Sequence, residues 1–242
     1  MSKPKQPSRR EAVAQIQAKQ KAAERRRTLL ALAPAVVLAV VIGVVVFLQV
    51  RDQSVRNNSA LTEIGAPAAD ACRDVVTETA EGSNDHRDEG TPIDYAQSPP
   101  AMGPHWGQFL VGGQIRKFWT ADDRPPVERL VHSLEHGWTI IWYDPTIAED
   151  DAAMDDLRAI ADEYAGTDPK DKVMVAPWTE EDGEAFPDGA HVALTHWSMG
   201  GTHGNPDGQL GVWQYCTEVS GEAVDQFVVD YPYSDSPEPN AA

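Results

Sequence analysis

Apolar residues are spaced in three ways along this chain, and each spacing predicts a different element. The first is an unbroken run: Thr28 to Val50 is 23 residues without a charge, between Arg27 and Arg51. As a helix it would be about 34 Å long, enough to cross a hydrocarbon core of ~30 Å. A cleaved signal peptide has a shorter apolar region, roughly 7–15 residues, ending in a small-x-small site. This run ends instead in Gln49-Val50-Arg51-Asp52. A transmembrane helix over 28–50 is expected, with Pro34 tolerated in its first third.

The second spacing is helical. Pro125-Pro126 opens a helix over Val127–His136, which Gly137 stops. Thr146 is placed to cap another, with Met154, Leu157, Ile160, Ala161 and Tyr164 on one face and acidic residues on the other. A last helix, about Glu222–Val229, follows Ser220. The third spacing is short β-rich runs: Ile115–Trp119, Trp138–Tyr143, Lys172–Trp178, Ala190–Trp197 and Gly211–Cys216. Together they predict an α+β domain, a small mixed sheet with flanking helices, preceded by one transmembrane helix. The chain then divides into a basic tail (1–27), the span (28–50), a polar Ala/Pro-rich linker (51–69), the domain (70–233) and a disordered tail rich in Ser, Pro and acids (234–242).

Charge sharpens this division. The 242 residues carry a net −18, yet residues 1–28 carry +7, which leaves −25 on the rest. The cluster Arg25-Arg26-Arg27 predicts that the N-terminus faces the cytoplasm. The chain is thus expected in a bacterial plasma membrane, single-pass, with its acidic domain outside the cytoplasm and the lipid bilayer as partner. Nucleic acid is excluded as a partner, because its phosphates would be repelled. An oxidising compartment suits the cysteines: Cys72 and Cys216 are the only two, and they read as one disulfide closing most of the domain.

The candidate chemistry lies in histidines. His132 and His136 are four apart on one helix face, a spacing at which two imidazoles can share an ion. His105 and His196 each have a methionine three residues away, Met102 and Met199. Thioether plus imidazole suits a soft ion, Cu(I) above all. Each residue also has a plainer use: His136 could answer a helix dipole, His132 could be an interior histidine, and the methionines could fill the core. For His191 and His203 a surface position is expected. The segment His132-Ser133-Leu134-Glu135-His136 also satisfies H-x-x-E-H, the inverted zincin pattern in which two His hold zinc and the Glu activates water. The helix stops directly after it and no third ligand stands out, so Glu135 as a catalytic residue is the weaker alternative.

The segments Ser98-Pro99-Pro100-Ala101-Met102-Gly103-Pro104-His105-Trp106 and Leu130-Val131-His132-Ser133-Leu134-Glu135-His136-Gly137 resemble a bacterial domain-of-unknown-function family, the one numbered thirty-one hundred and five. The resemblance covers about residues 82–200 and implies an N-terminal anchor before the domain. It matches His86, His105, His132 and His136 to the family's four histidines. Met102 departs from the pattern where Ser is commoner, and His196 where a small residue is. The resemblance implies no activity. The expected function is therefore transition-metal binding, copper before zinc, through His132, His136, His105, His86 and Met102. Two alternatives stand beside it: a metal-free module docking a Trp-rich surface on an envelope or membrane-protein partner, and the zinc hydrolase.

Overall fold

A computed structural model describes residues 61–80, 85–200 and 208–241. The expected span at 28–50, the basic tail and His203 lie outside the described residues. Among the described residues no helix is long and apolar enough to cross a membrane.

Five strands form the main sheet. They are β1 (Val76–Thr79), β4 (Thr139–Tyr143), β5 (Val173–Pro177), β6 (Val192–Ser198) and β7 (Leu210–Cys216), in the order β1-β7-β6-β4-β5. Only β4 and β5 run parallel, so the sheet is mixed. The three inner strands β4, β6 and β7 are mostly buried, because both sheet faces are covered. On one face Ile141, Tyr143, Val192 and Leu194 pack against helices α4 (Asp151–Glu163) and α5 (Gly221–Asp230). On the other, Ile140, Trp142, Ala193 and Trp197 pack against helix α2 (Val127–Glu135). A separate two-stranded parallel pair, β2 (His86–Arg87) and β3 (His105–Trp106), sits beside α2.

The α+β class and the mixed sheet agree with the hydrophobic pattern, which gives no sign of β1, β2 or β3; four further details differ. Residues 115–119 form no strand of their own. Lys117 O and Trp119 N hydrogen-bond along the outer edge of β5 (2.8 and 3.0 Å), so this segment covers an edge strand. The helix expected after Thr146 is two: α3 (Pro145–Ala148), capped by the Asp144 carboxylate, and α4, capped by that of Asp150. Pro145 occupies the first helical position, which makes Asp144 the cap and puts Thr146 inside the helix. The linker reading ends early: Leu61 is buried in the core, Gly65 bridges Ser220, and α1 (Ala68–Ala71) precedes Cys72.

The fourth difference is the C-terminal stretch, read from composition as a disordered tail. It is docked. Asp235 O accepts Met199 N–H (2.9 Å), Glu238 N–H donates to Glu135 O (2.9 Å), and Lys172 Nζ donates to the carbonyls of His136, Pro239 and Ala241 at 2.8, 3.1 and 2.9 Å. Prolines and acids here serve backbone contacts that composition does not reveal. At the other end, Cys72 and Cys216 form the expected disulfide. Its sequence separation of 144 residues corresponds to about 5 kcal/mol in the loop-entropy picture.

Candidate metal centre

Helix α2 is the frame of the site. An ordinary surface helix buries one stripe; here every residue from Leu130 to Glu135 is buried, His132, Ser133 and Glu135 included. Gly137 ends it with φ near +90°, a conformation that favours glycine. A Cβ at that position would also lie 2.5 Å from Tyr233 O. The residue that turns the chain into β4 thus also makes room for the docked C-terminal stretch.

The other histidines arrive on β2 and β3. Their parallel pairing sets His86 opposite His105, with Gly107 N–H closing on Arg87 O (3.0 Å). The Pro-rich segment before His105 is held by three aromatic donors. Trp213 Nε1 donates to Pro99 O (2.7 Å), Tyr215 OH to Ser98 O (3.2 Å) and Tyr95 OH to Pro104 O (2.8 Å). His105 therefore stands on a braced loop, wholly buried beside Trp197.

Three imidazoles and one carboxylate converge. Nε2 of His105, His86 and His132 lie 3.0, 3.6 and 3.9 Å from the same oxygen, Glu135 Oε2. One donor atom from each of the four residues falls within 4.8 Å of all the others. The opposite ring nitrogens define the tautomers. His105 Nδ1–H donates to Gly103 O (2.9 Å) and His132 Nδ1–H to Trp106 O (2.6 Å). A carbonyl only accepts, so both Nδ1 atoms carry a proton and Nε2 faces the carboxylate. Metal-ligating histidines are characteristically oriented this way.

Electrostatics point the same way. Burial drives the His132 pKa down to about 4, with the nearby His105 and His136 adding to the effect against the Trp106 hydrogen bond. At neutral pH His132 Nε2 is a lone pair. Burial pushes the Glu135 carboxyl up, but the His105 contact, with His132 and His86 behind it, outweighs burial and leaves it below the ordinary carboxylate range. The His132 lone pair, 3.9 Å from the ionised Glu135 carboxylate, is repelled by it unless a proton or a metal cation lies between them.

His136 joins a second, adjoining group. Its Nε2 is 3.6 Å from Glu238 Oε2, and one donor each of Glu135, His136 and Glu238 falls within 4.8 Å of the others. Its ring lies 4.6 Å from that of His132, and Phe109 packs over both at 4.9 and 5.2 Å. The pair expected to share one ion is thus split between two groups. Met102 packs against the Trp-rich core, its Sδ at 2.9 Å from where a Cβ on Gly211 would stand. His196 is on the other sheet face, buried, its Nδ1 3.3 Å from Thr139 Oγ1, and burial lowers its pKa to about 4. His191 pairs with Asp144 (2.8 Å), away from the cluster. Six of the seven tryptophans are core residues, Trp106 alone being half-buried, so the tryptophans form no exposed docking face.

Sequence reasoning gave Glu135 only a catalytic role and missed Glu238. His86 entered the candidate site only by resemblance. Comparison with curated proteins and with solved structures gives no match. One family does match: it spans residues 86–242, from the first histidine of the cluster through Glu238 and the docked C-terminal stretch. The chain therefore belongs to the family described as protein of unknown function, DUF3105.

Proposed function

We propose that this domain binds a divalent transition-metal ion through His86, His105, His132 and Glu135, and that residues 28–50 anchor it on the outer side of a bacterial plasma membrane. One observation carries the metal reading: two buried imidazoles, each held by its Nδ1–H on a main-chain carbonyl, aim Nε2 at one buried carboxylate that a third imidazole also reaches. Three nitrogens and one carboxylate oxygen suit a borderline ion better than a soft one. Without the Met102 thioether the preference for copper moves from Cu(I) to Cu(II), which binds such donors most tightly among first-row divalent ions, with Zn(II) next. His86 is the half-exposed member and gives the ion its way in.

The zinc hydrolase is the less favoured reading. The two histidines of H-x-x-E-H fall in different donor groups, and Glu135 is itself among the converging donors. The membrane reading is supported by the uncharged run, by the Arg25-Arg26-Arg27 cluster and by a disulfide suited to an oxidising compartment. Metal retention tests the site. The full chain, purified in mild detergent, is equilibrated with Cu(II) or Zn(II) and dialysed against a weak chelator. Wild type retains stoichiometric metal; His86→Ala, at the exposed rim, holds it more weakly without loss of fold; His105→Ala/His132→Ala loses the ion of this group. No stoichiometric metal in wild type, or retention indifferent to all three substitutions, rejects the proposal.

A further inference from the structure

Glu135 belongs to both donor groups, and a carboxylate has two oxygens with about four lone-pair directions. We infer that the centre is dinuclear: a second divalent ion binds between His136 Nε2 and the Glu238 carboxylate and shares Glu135 with the first. The inference rests on the metal reading above, because the shared ligand is the carboxylate of the three-histidine group.

The geometry of the second group is built rather than incidental. Glu238 is fixed from both sides along the backbone: its own N–H donates to Glu135 O, and Lys172 Nζ gathers the carbonyls of His136, Pro239 and Ala241 into one clamp. That lysine ties the end of α2 to the C-terminal stretch at the point where their side chains meet. The His136 ring is itself fixed between His132 and Phe109. A simple ion pair between His136 and an exposed glutamate would not require so many backbone contacts to hold it. Two-metal sites elsewhere use a shared carboxylate and flanking imidazoles to hold two ions a few ångströms apart, and the abutting His132 and His136 rings provide that adjacency. Each ion has one exposed ligand, His86 for the first and Glu238 for the second.

Counting metal in the full chain and in Glu238→Gln tests this. Glu238 is at the surface, so the substitution leaves the fold intact. Wild type holds two equivalents of Zn(II) or Cu(II) and the variant one; the Cu(II) forms differ in EPR, spin-coupled in wild type and isolated in the variant. One equivalent in both proteins would show that His136 and Glu238 form only an ion pair, overturning the dinuclear inference while leaving the three-histidine site intact. Two equivalents in both would place the second ion elsewhere and overturn it as well. No metal in wild type would overturn this inference and the metal reading together.

Discussion

Helices α2 and α4 cover opposite faces of one sheet, yet they are built on different rules. Helix α4 buries Met154, Leu157, Ile160 and Ala161 and turns its acids to solvent, so its packing follows from spacing alone. Helix α2 is buried nearly all round and takes His132, Ser133 and Glu135 inside with it. Burying ionisable groups is unfavourable unless they are paired or hold an ion. Helix α4 itself thus needs no explanation beyond the hydrophobic effect, while helix α2 does. The contrast locates stability on one side of the sheet and chemistry on the other.

The largest test of that division is Leu157→Ala. Leu157 is fully buried on the α4 face, and its truncation is expected to lower stability by about 3 kcal/mol in denaturant unfolding, with metal content unchanged. A parallel loss of metal would break the comparison.

Acid should reveal both faces. His196 and His132 are held neutral, each with a pKa near 4 against an ordinary 6.5. The unfolded chain takes up their protons first, so stability is full above about pH 6.5 and falls as pH drops toward 4. The His196 contribution alone is on the order of 3 kcal/mol. Thermal melts from pH 7.5 to 4 check it: bound metal should raise the melting temperature at pH 7.5 and lose that effect as the ligands protonate. His196→Gln should flatten the apo profile without altering metal binding.

Gly137→Ala sharpens the link between α2 and the C-terminal stretch. Its positive φ and the collision with Tyr233 O predict a loss of about 2 kcal/mol, together with one bound ion as Glu238 is displaced. Smallest in stability is Lys172→Met, at about 1 kcal/mol. It removes the three-carbonyl clamp, and metal counting should show the second ion lost and the first kept.

The same contrast explains what the sequence discloses. Periodicity places β4 and β6 to within two residues and picks out the buried face of α4, though not its start, because their burial is decided by neighbours in the chain. The site is only half legible. His132, Glu135 and His136 share a motif, but which of them act together depends on β2 pairing with β3 and on the return of the C-terminal stretch, both long-range events. His86 and Glu238 are polar residues in polar surroundings, and nothing local sets them apart. Met102 and His196 read as ligands by spacing, while packing sends one to the Trp-rich core and the other to the far face of the sheet. Cysteine counting succeeded, since two cysteines leave one intramolecular pairing.

The central claim is that His86, His105 and His132 share one ion with Glu135. Pulsed EPR on the Cu(II)-loaded full chain carrying Glu238→Gln tests it most directly, because it counts coordinated imidazoles through their remote nitrogens. The account predicts three imidazoles on a single copper, falling when His86 or His132 is replaced by alanine. A copper bound by one imidazole or none, or a count that neither substitution changes, would contradict it.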